Sequence, residues 1–173
     1  NVNYLEKELE DALINYLQKF LLELGRGFCY VARQKRITFD NEHYFNRNTL
    51  YGHNDEGEMF AFFDFAVLEA LKVIDFYPDV IHCNDWQTGL IPYIKKANYF
   101  AYPEYNRIKT MFSIHNIQYQ GIFGMDIMKS LYTPYSNSLE FDGCINFLKA
   151  AIMESDVVTT VSPTYKDEVL TKE

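Results

Sequence analysis

No run of apolar residues approaches the roughly 18 that a membrane-spanning helix needs, and no basic-then-apolar leader opens the chain. Both absences predict a cytoplasmic protein with no membrane partner. Only 16 Lys and Arg stand against 24 Asp and Glu, a net charge of −8, so the basic surface that nucleic acid calls for is not indicated. Cysteine is scarce. Cys29, Cys83 and Cys144 are widely spaced and lack any C-x-x-C pair, so they read as reduced thiols and not as a disulfide frame or zinc knuckle. No G-x-S-x-G elbow occurs. Gly25 and Gly27 follow a predicted helix where a phosphate loop must follow a strand. The chain has no initiator Met and stops inside a starting helix, so it is expected to be a fragment.

What is present suits a packed core. Hydrophobic content is 48% and aromatic content 17%, with 14 Tyr and 14 Phe, and 173 residues suffice for one domain. Leu13, Ile14, Leu17, Phe20, Leu21 and Leu24 recur at helical spacing and predict a helix over 5–24, stopped by Gly25. A strand over 28–32 follows. After Thr38 the composition turns polar and turn-rich. Asn54 or Asp55 is placed to cap the next helix, whose apolar stripe is Met59, Phe60, Phe63, Val67, Leu68, Leu71 and Ile74.

Pro78 and Asp79 end that helix. Val80 to His82 predicts a short buried strand ending at Asn84-Asp85-Trp86, and a helix starts near Thr88 or Gly89 with Pro92 in its first turn. Residues 98–107 read as loop. Lys109 to Ile114 is a second strand, completing a β-α-β unit with parallel strands. Residues 123–137 read as loop and short helix. Ile145, Leu148, Ile152 and Met153 predict another helix, and Val157 to Val161 a third strand. Ser162 is its exit cap, with Pro163 at the first helical position. The expected class is α/β.

Three predicted strands thus end in polar residues: Asn84-Asp85-Trp86, His115-Asn116 and Ser162-Pro163. In a parallel sheet these ends share one edge, where ligands bind in folds of this kind. A carboxylate and an imidazole there can do acid–base work or grip hydroxyl groups. A single strand-end Asp is nevertheless more often a helix cap or loop staple than a catalyst. Trp86 and Tyr119 offer flat faces of the kind that sugars stack on. His82 and Cys83 alternate on a strand, which leaves too few convergent ligands for a metal site with Asp85 and His115.

Two resemblances add to this. "LEDALINYLQKFLLELGRGFCYVARQKRI" resembles part of a PD-(D/E)xK nuclease-like family, with Glu10 matching its helix Glu, although the carboxylate-x-Lys strand is missing. From about residue 39 to 173, "DNEHYFNRNTLYG", "PDVIHCNDWQTGLIP", "FSIHNIQYQGIF", "LEFDGCINFLKAAI" and "VTTVSPTYKDEV" resemble the bacterial glycogen (starch) synthases of glycosyltransferase family 5, in order and at spacing. That resemblance implies a GT-B fold of which 38–173 is an incomplete, Rossmann-like N-terminal domain. Residues 1–37 would then be a helix-strand segment of other origin, and a misjoined reading frame is one source. It implies glucose transfer from ADP-glucose to the non-reducing end of an α-1,4-glucan, with retention and with neither metal nor cofactor.

Carried over by motif, His115 is the active-site histidine near the transferred glucose and Asp85 the second polar group. Asn116, Trp86, Tyr119 and Gln120 shape the crevice, and Tyr51 and Asp55 lie on the acceptor side. The family's Lys-x-Gly-Gly-Leu loop is not in the chain, nor is its C-terminal domain, and Met59 stands where a basic residue is expected. The fragment alone is therefore expected to be inactive. A nuclease-related module and a non-catalytic glucan-binding remnant are the alternatives.

Overall fold

The computed structural model describes Tyr44 and residues 47–171. The expected helix over 5–24 and strand over 28–32, with Glu10, Gly25 and Cys29, lie outside the described residues. The chain divides into two compact units, 1–53 and 54–173. In the first, His53 Nε2 lies 3.1 Å from both the hydroxyl and the carbonyl oxygen of Thr49.

The second unit opens with helix α1, Glu56–Val73. Asp55 occupies its N-cap position without a side-chain capping bond, while Glu56 and Glu58 in the first turn and Lys72 in the last suit the helix dipole. Burial is wider than the predicted stripe. Met59, Phe60 and Leu68 are buried, but so are Ala61, Phe62, Ala66 and Ala70, whereas Ile74 is exposed. A helix covered on more than one side loses the periodicity that marks a surface helix.

Strand β1 (Val80–Asn84) leads through a 3-10 turn (Trp86–Thr88) into α2 (Ile91–Asn98), then α3 (Pro103–Arg107) and β2 (Lys109–Ile114). The predicted helix therefore starts two residues later than Gly89, with Pro92 in its first turn as expected. Residues 103–107, read as loop, form a helical turn opened by Pro103. Asp64 of α1 reaches the start of α2, where its Oδ2 accepts from the Leu90 N–H at 2.9 Å. Full burial pushes this carboxyl well above its ordinary range, against the lowering effect of the Leu90 and Ile91 backbone bonds.

After β2 come β3 (Ile122–Phe123), a 3-10 turn (Met125–Lys129), β4 (Glu140–Phe141) and β5 (Cys144–Asn146). These three short strands form a small antiparallel sheet in the order β3-β5-β4, which the sequence reading did not anticipate. Ile145 thus belongs to a strand and not to the helix it was assigned to. Helix α4 (Phe147–Glu154) begins after it, and the Asn146 side chain accepts from the Lys149 N–H as its N-cap. Its buried face is Phe147, Leu148, Ala150 and Ala151, while Met153 is exposed. Strand β6 (Val157–Thr160) and helix α5 (Pro163–Val169) finish the described chain, with Ser162 capping α5 through the Tyr165 N–H as predicted.

The larger sheet has the order β1-β2-β6, all parallel. Register places Asn84 beside Ser113 and Ser113 beside Thr159. All three strands therefore end on one edge, as the sequence required.

Candidate functional site

At that edge the chain makes two abrupt turns. Asp85 follows β1 with φ 55° and ψ 178°, a conformation essentially reserved for glycine. It is held there from both sides. Its N–H donates to the Ser113 carbonyl at 3.0 Å, and its carboxylate Oδ1 accepts from the His115 N–H at 2.8 Å and the Asn116 N–H at 3.3 Å. Asp85 is thus the loop staple that a strand-end Asp most often is. The same contacts bring it directly against the His115 segment, and its Oδ2 makes no hydrogen bond among the described residues.

The imidazole of His115 is exposed and does not pair with Asp85. Its Nε2 lies 3.0 Å from Asn84 Oδ1, and its Nδ1 has no partner among the described residues. Asn116, also exposed, folds its Oδ1 back onto the Gln118 N–H at 3.0 Å, making the tight turn typical of an Asn side chain. Further along the loop, Tyr165 of α5 accepts from the Ile117 N–H at 2.8 Å. Sequence reasoning missed both Asn84 and Tyr165 as partners of this loop. Asn84 stood in the quoted strand end and was available as a signal. Tyr165 gave none, being 48 residues from Ile117.

Trp86 is a correction. Its ring is only 6% exposed and packs at 4.9 Å against Phe60, 5.8 Å against Phe123 and 6.3 Å against Phe147, so it is core and offers no face to a sugar. Gly121, at φ 63°, passes so close that a Cβ there would meet the indole at 2.4 Å. Gln120 is likewise turned inward, with Oε1 accepting from Asn146 Nδ2 at 2.8 Å and Nε2 donating to the Ile117 carbonyl at 3.2 Å. Tyr119 alone of the aromatic candidates is open at this edge, 63% exposed. Asp55 sits at the start of α1, and Tyr51 belongs to the first unit.

Behind the edge, His82 Nε2 pairs with Ser113 Oγ at 2.7 Å, and Ser113 Oγ with Thr159 Oγ1 at 2.7 Å, a polar row across all three strands. Cys83 points the other way into the core, where burial first, and the nearby Asp64 second, push its thiol up to about 12. Among the described residues no three His, Cys, Asp or Glu side chains converge on a metal position. No described helix is long and apolar enough to cross a membrane. An apolar groove of about 770 Å³ runs beside the site along β6 and α5, lined by Ile114, Ile117, Val158, Val161 and Leu170 among others.

Comparison with known proteins fits this arrangement. The family model described as the starch synthase catalytic domain matches residues 7–173. The glycogen synthase of Clostridium perfringens is 55% identical over 176 residues, covering 95% of this chain and 36% of that relative. The glycogen synthase of Bacillus subtilis is 48% identical over 137 residues, 76% of this chain and 28% of that relative. Among solved structures, the catalytic domain of starch synthase IV from Arabidopsis thaliana, bound to ADP and acarbose, aligns with a TM-score of 0.64 at 33% identity. That alignment covers 74% of this chain and 27% of that one. The chain therefore spans about a third of the length of the relatives it matches. The family match also takes in nearly all of residues 1–37, so the nuclease-like resemblance of that stretch finds no support. With its parallel α/β sheet and a family match from residue 7 onward, the chain belongs to the starch synthase catalytic-domain family of glycosyltransferases.

Proposed function

We propose that this chain forms one wall of a glycogen or starch synthase active site, where glucose passes from ADP-glucose to the non-reducing end of an α-1,4-glucan with retention of configuration. The observation that carries the reading is the meeting of His115 and Asp85 at the carboxyl edge of the parallel sheet, each with one polar atom free of partners among the described residues. The ADP and acarbose bound to the Arabidopsis relative support a nucleotide-sugar donor and a glucan acceptor. Neither His115 nor Asp85 is a strong nucleophile. Their contribution is to orient sugar hydroxyls and to stabilise charge as the donor bond breaks. Asn116 and Tyr119 border the same opening.

The nucleotide pocket and phosphate contacts belong, on this reading, to the two-thirds of the relatives' length beyond this chain. The 173-residue chain alone then transfers no glucose. In an assay with ADP-glucose and glycogen, the full-length protein is expected to be active. His115→Ala in that protein is expected to lower kcat/KM by about 10²- to 10³-fold, the loss typical of one preorganised polar contact. Undiminished transfer by His115→Ala would remove His115 from the site. Turnover by the 173-residue chain would overturn the claim of inactivity.

A further inference from the structure

We infer that Asn84 is a positioning residue that fixes the ring of His115 in the tautomer with its proton on Nε2. Its importance for sugar recognition rests on the function proposed above. Asn84 is itself clamped at the end of β1. Its N–H donates to Thr88 Oγ1 at 2.7 Å, and the same hydroxyl lies 2.9 Å from its carbonyl oxygen. The orientation of its side-chain amide follows from its second neighbour. Asn84 Nδ2 faces the His82 carbonyl at 3.5 Å, and turning the amide over would set two acceptor oxygens against each other.

Oδ1 is therefore the atom 3.0 Å from His115 Nε2, and an amide oxygen can only accept. The proton must sit on Nε2. In the neutral ring this leaves a lone pair on Nδ1, the nitrogen without a partner among the described residues. Such a ring recognises a group that donates, such as a sugar hydroxyl. A phosphate oxygen would need the ring to take up a second proton.

The other ties on this loop act elsewhere. Asp85 holds the His115 N–H and Tyr165 the Ile117 N–H, and both leave the imidazole free to turn. Among the described residues Asn84 is the ring's one hydrogen-bonding partner.

Long-range proton–nitrogen correlation spectra of the 173-residue chain, taken where imidazoles are neutral, read the tautomer directly. Free histidine already favours Nε2–H, so the deciding quantity is the change between variants. Asn84→Leu, or Asn84→Ala should the first not fold, is expected to lower the ratio of Nε2–H to Nδ1–H in His115 by roughly 2- to 12-fold. That is the worth of one net hydrogen bond of about 0.5–1.5 kcal/mol. Asn84→Asp keeps an acceptor and is expected to keep the ratio at or above the wild-type value. In the full-length protein the loss of kcat/KM should follow the same order. A wild-type ring protonated on Nδ1, or a ratio indifferent to Asn84→Leu and Asn84→Ala, would overturn the inference. Because the ratio is read without substrate, a chain that shows it while the full-length protein transfers no glucose would sink the synthase reading alone.

Discussion

Asp85 gives the sharpest quantitative expectation, because two opposed terms meet in one residue. It holds a backbone conformation (φ 55°, ψ 178°) whose cost for a non-glycine residue is about 1–3 kcal/mol. It repays the fold through two bonds from the His115 and Asn116 N–H groups. A hydrogen bond to a charged group contributes about 1.5–3 kcal/mol. Both donors are near solvent and water can replace the lost acceptor, so the low end applies, and the 3.3 Å bond counts for less than the 2.8 Å one. Asp85→Ala keeps the strain and loses both bonds, which predicts a loss of about 2–3 kcal/mol. Asp85→Gly loses the same bonds but relieves the strain, at a cost of about 0.5–1 kcal/mol in unfolded-state freedom. Asp85→Gly should therefore be the more stable of the two by about 1 kcal/mol. Urea unfolding with a slope of about 1–3 kcal/mol per molar separates their midpoints by about 0.3–1 M. If the Asp85 carboxylate acts as proposed, both variants should lower transfer by the full-length protein to a similar degree, since the carboxylate is gone from both. An Asp85→Ala midpoint equal to or above that of Asp85→Gly would show that the left-handed conformation is not what the residue sustains.

Three further outcomes are expected. Gly121→Ala places a methyl group within 2.4 Å of the buried Trp86 ring at a φ of 63°, and should cost about 2–4 kcal/mol in the same unfolding experiment. Cys83, titrating at about 12 against an ordinary 9.0, carries about 10^(12−9), a thousandfold, less thiolate at mildly alkaline pH. Alkylation followed by mass spectrometry should label the half-buried Cys144 in native protein long before Cys83. Asp156 is opposed by burial, yet bonds from the Thr110 N–H and from Lys109 bring it down to about 2 from 3.8. A carboxyl depressed on folding stabilises fully above its unfolded value. The stability gap between wild type and Asp156→Ala should therefore be constant above about pH 5 and close as pH falls toward about 2. A gap that widened in acid would refute the assignment.

The β-α-β unit around Asp85 and His115 was legible because its signals are local. Short β-branched strands end in turn formers, Pro92 sits where a first helical turn tolerates it, and Ser162-Pro163 marks a helix start. The errors fall where tertiary context decides. Ile145 lies in a two-residue apolar run, Cys144-Ile145, that fits strand or helix equally, and only its pairing with Phe123 and Glu140 settles the matter. Trp86 was assigned to a ligand face because indoles stack on sugars, yet three phenylalanines from distant parts of the chain enclose it. The site shows the same division. The chemistry-bearing residues could be named from their strand ends, but not that Asp85 grips backbone while Asn84 takes the imidazole. Those pairings cross 30 and 31 positions and depend on the register of β1 against β2.

The burial of Trp86 also makes the molecule its own optical gauge. It is the chain's single tryptophan, and its ring sits where the end of β1, Phe123 of the small sheet and Phe147 of α4 come together. Intrinsic fluorescence excited at the indole therefore reports the packing of α1, the small sheet and α4 around the end of β1, while far-ultraviolet circular dichroism reports the helices. If the two signals lose amplitude together in denaturant, the small sheet and the large one melt as a unit. If the emission shifts to the red first, the packing around Trp86 opens before the helical scaffold does.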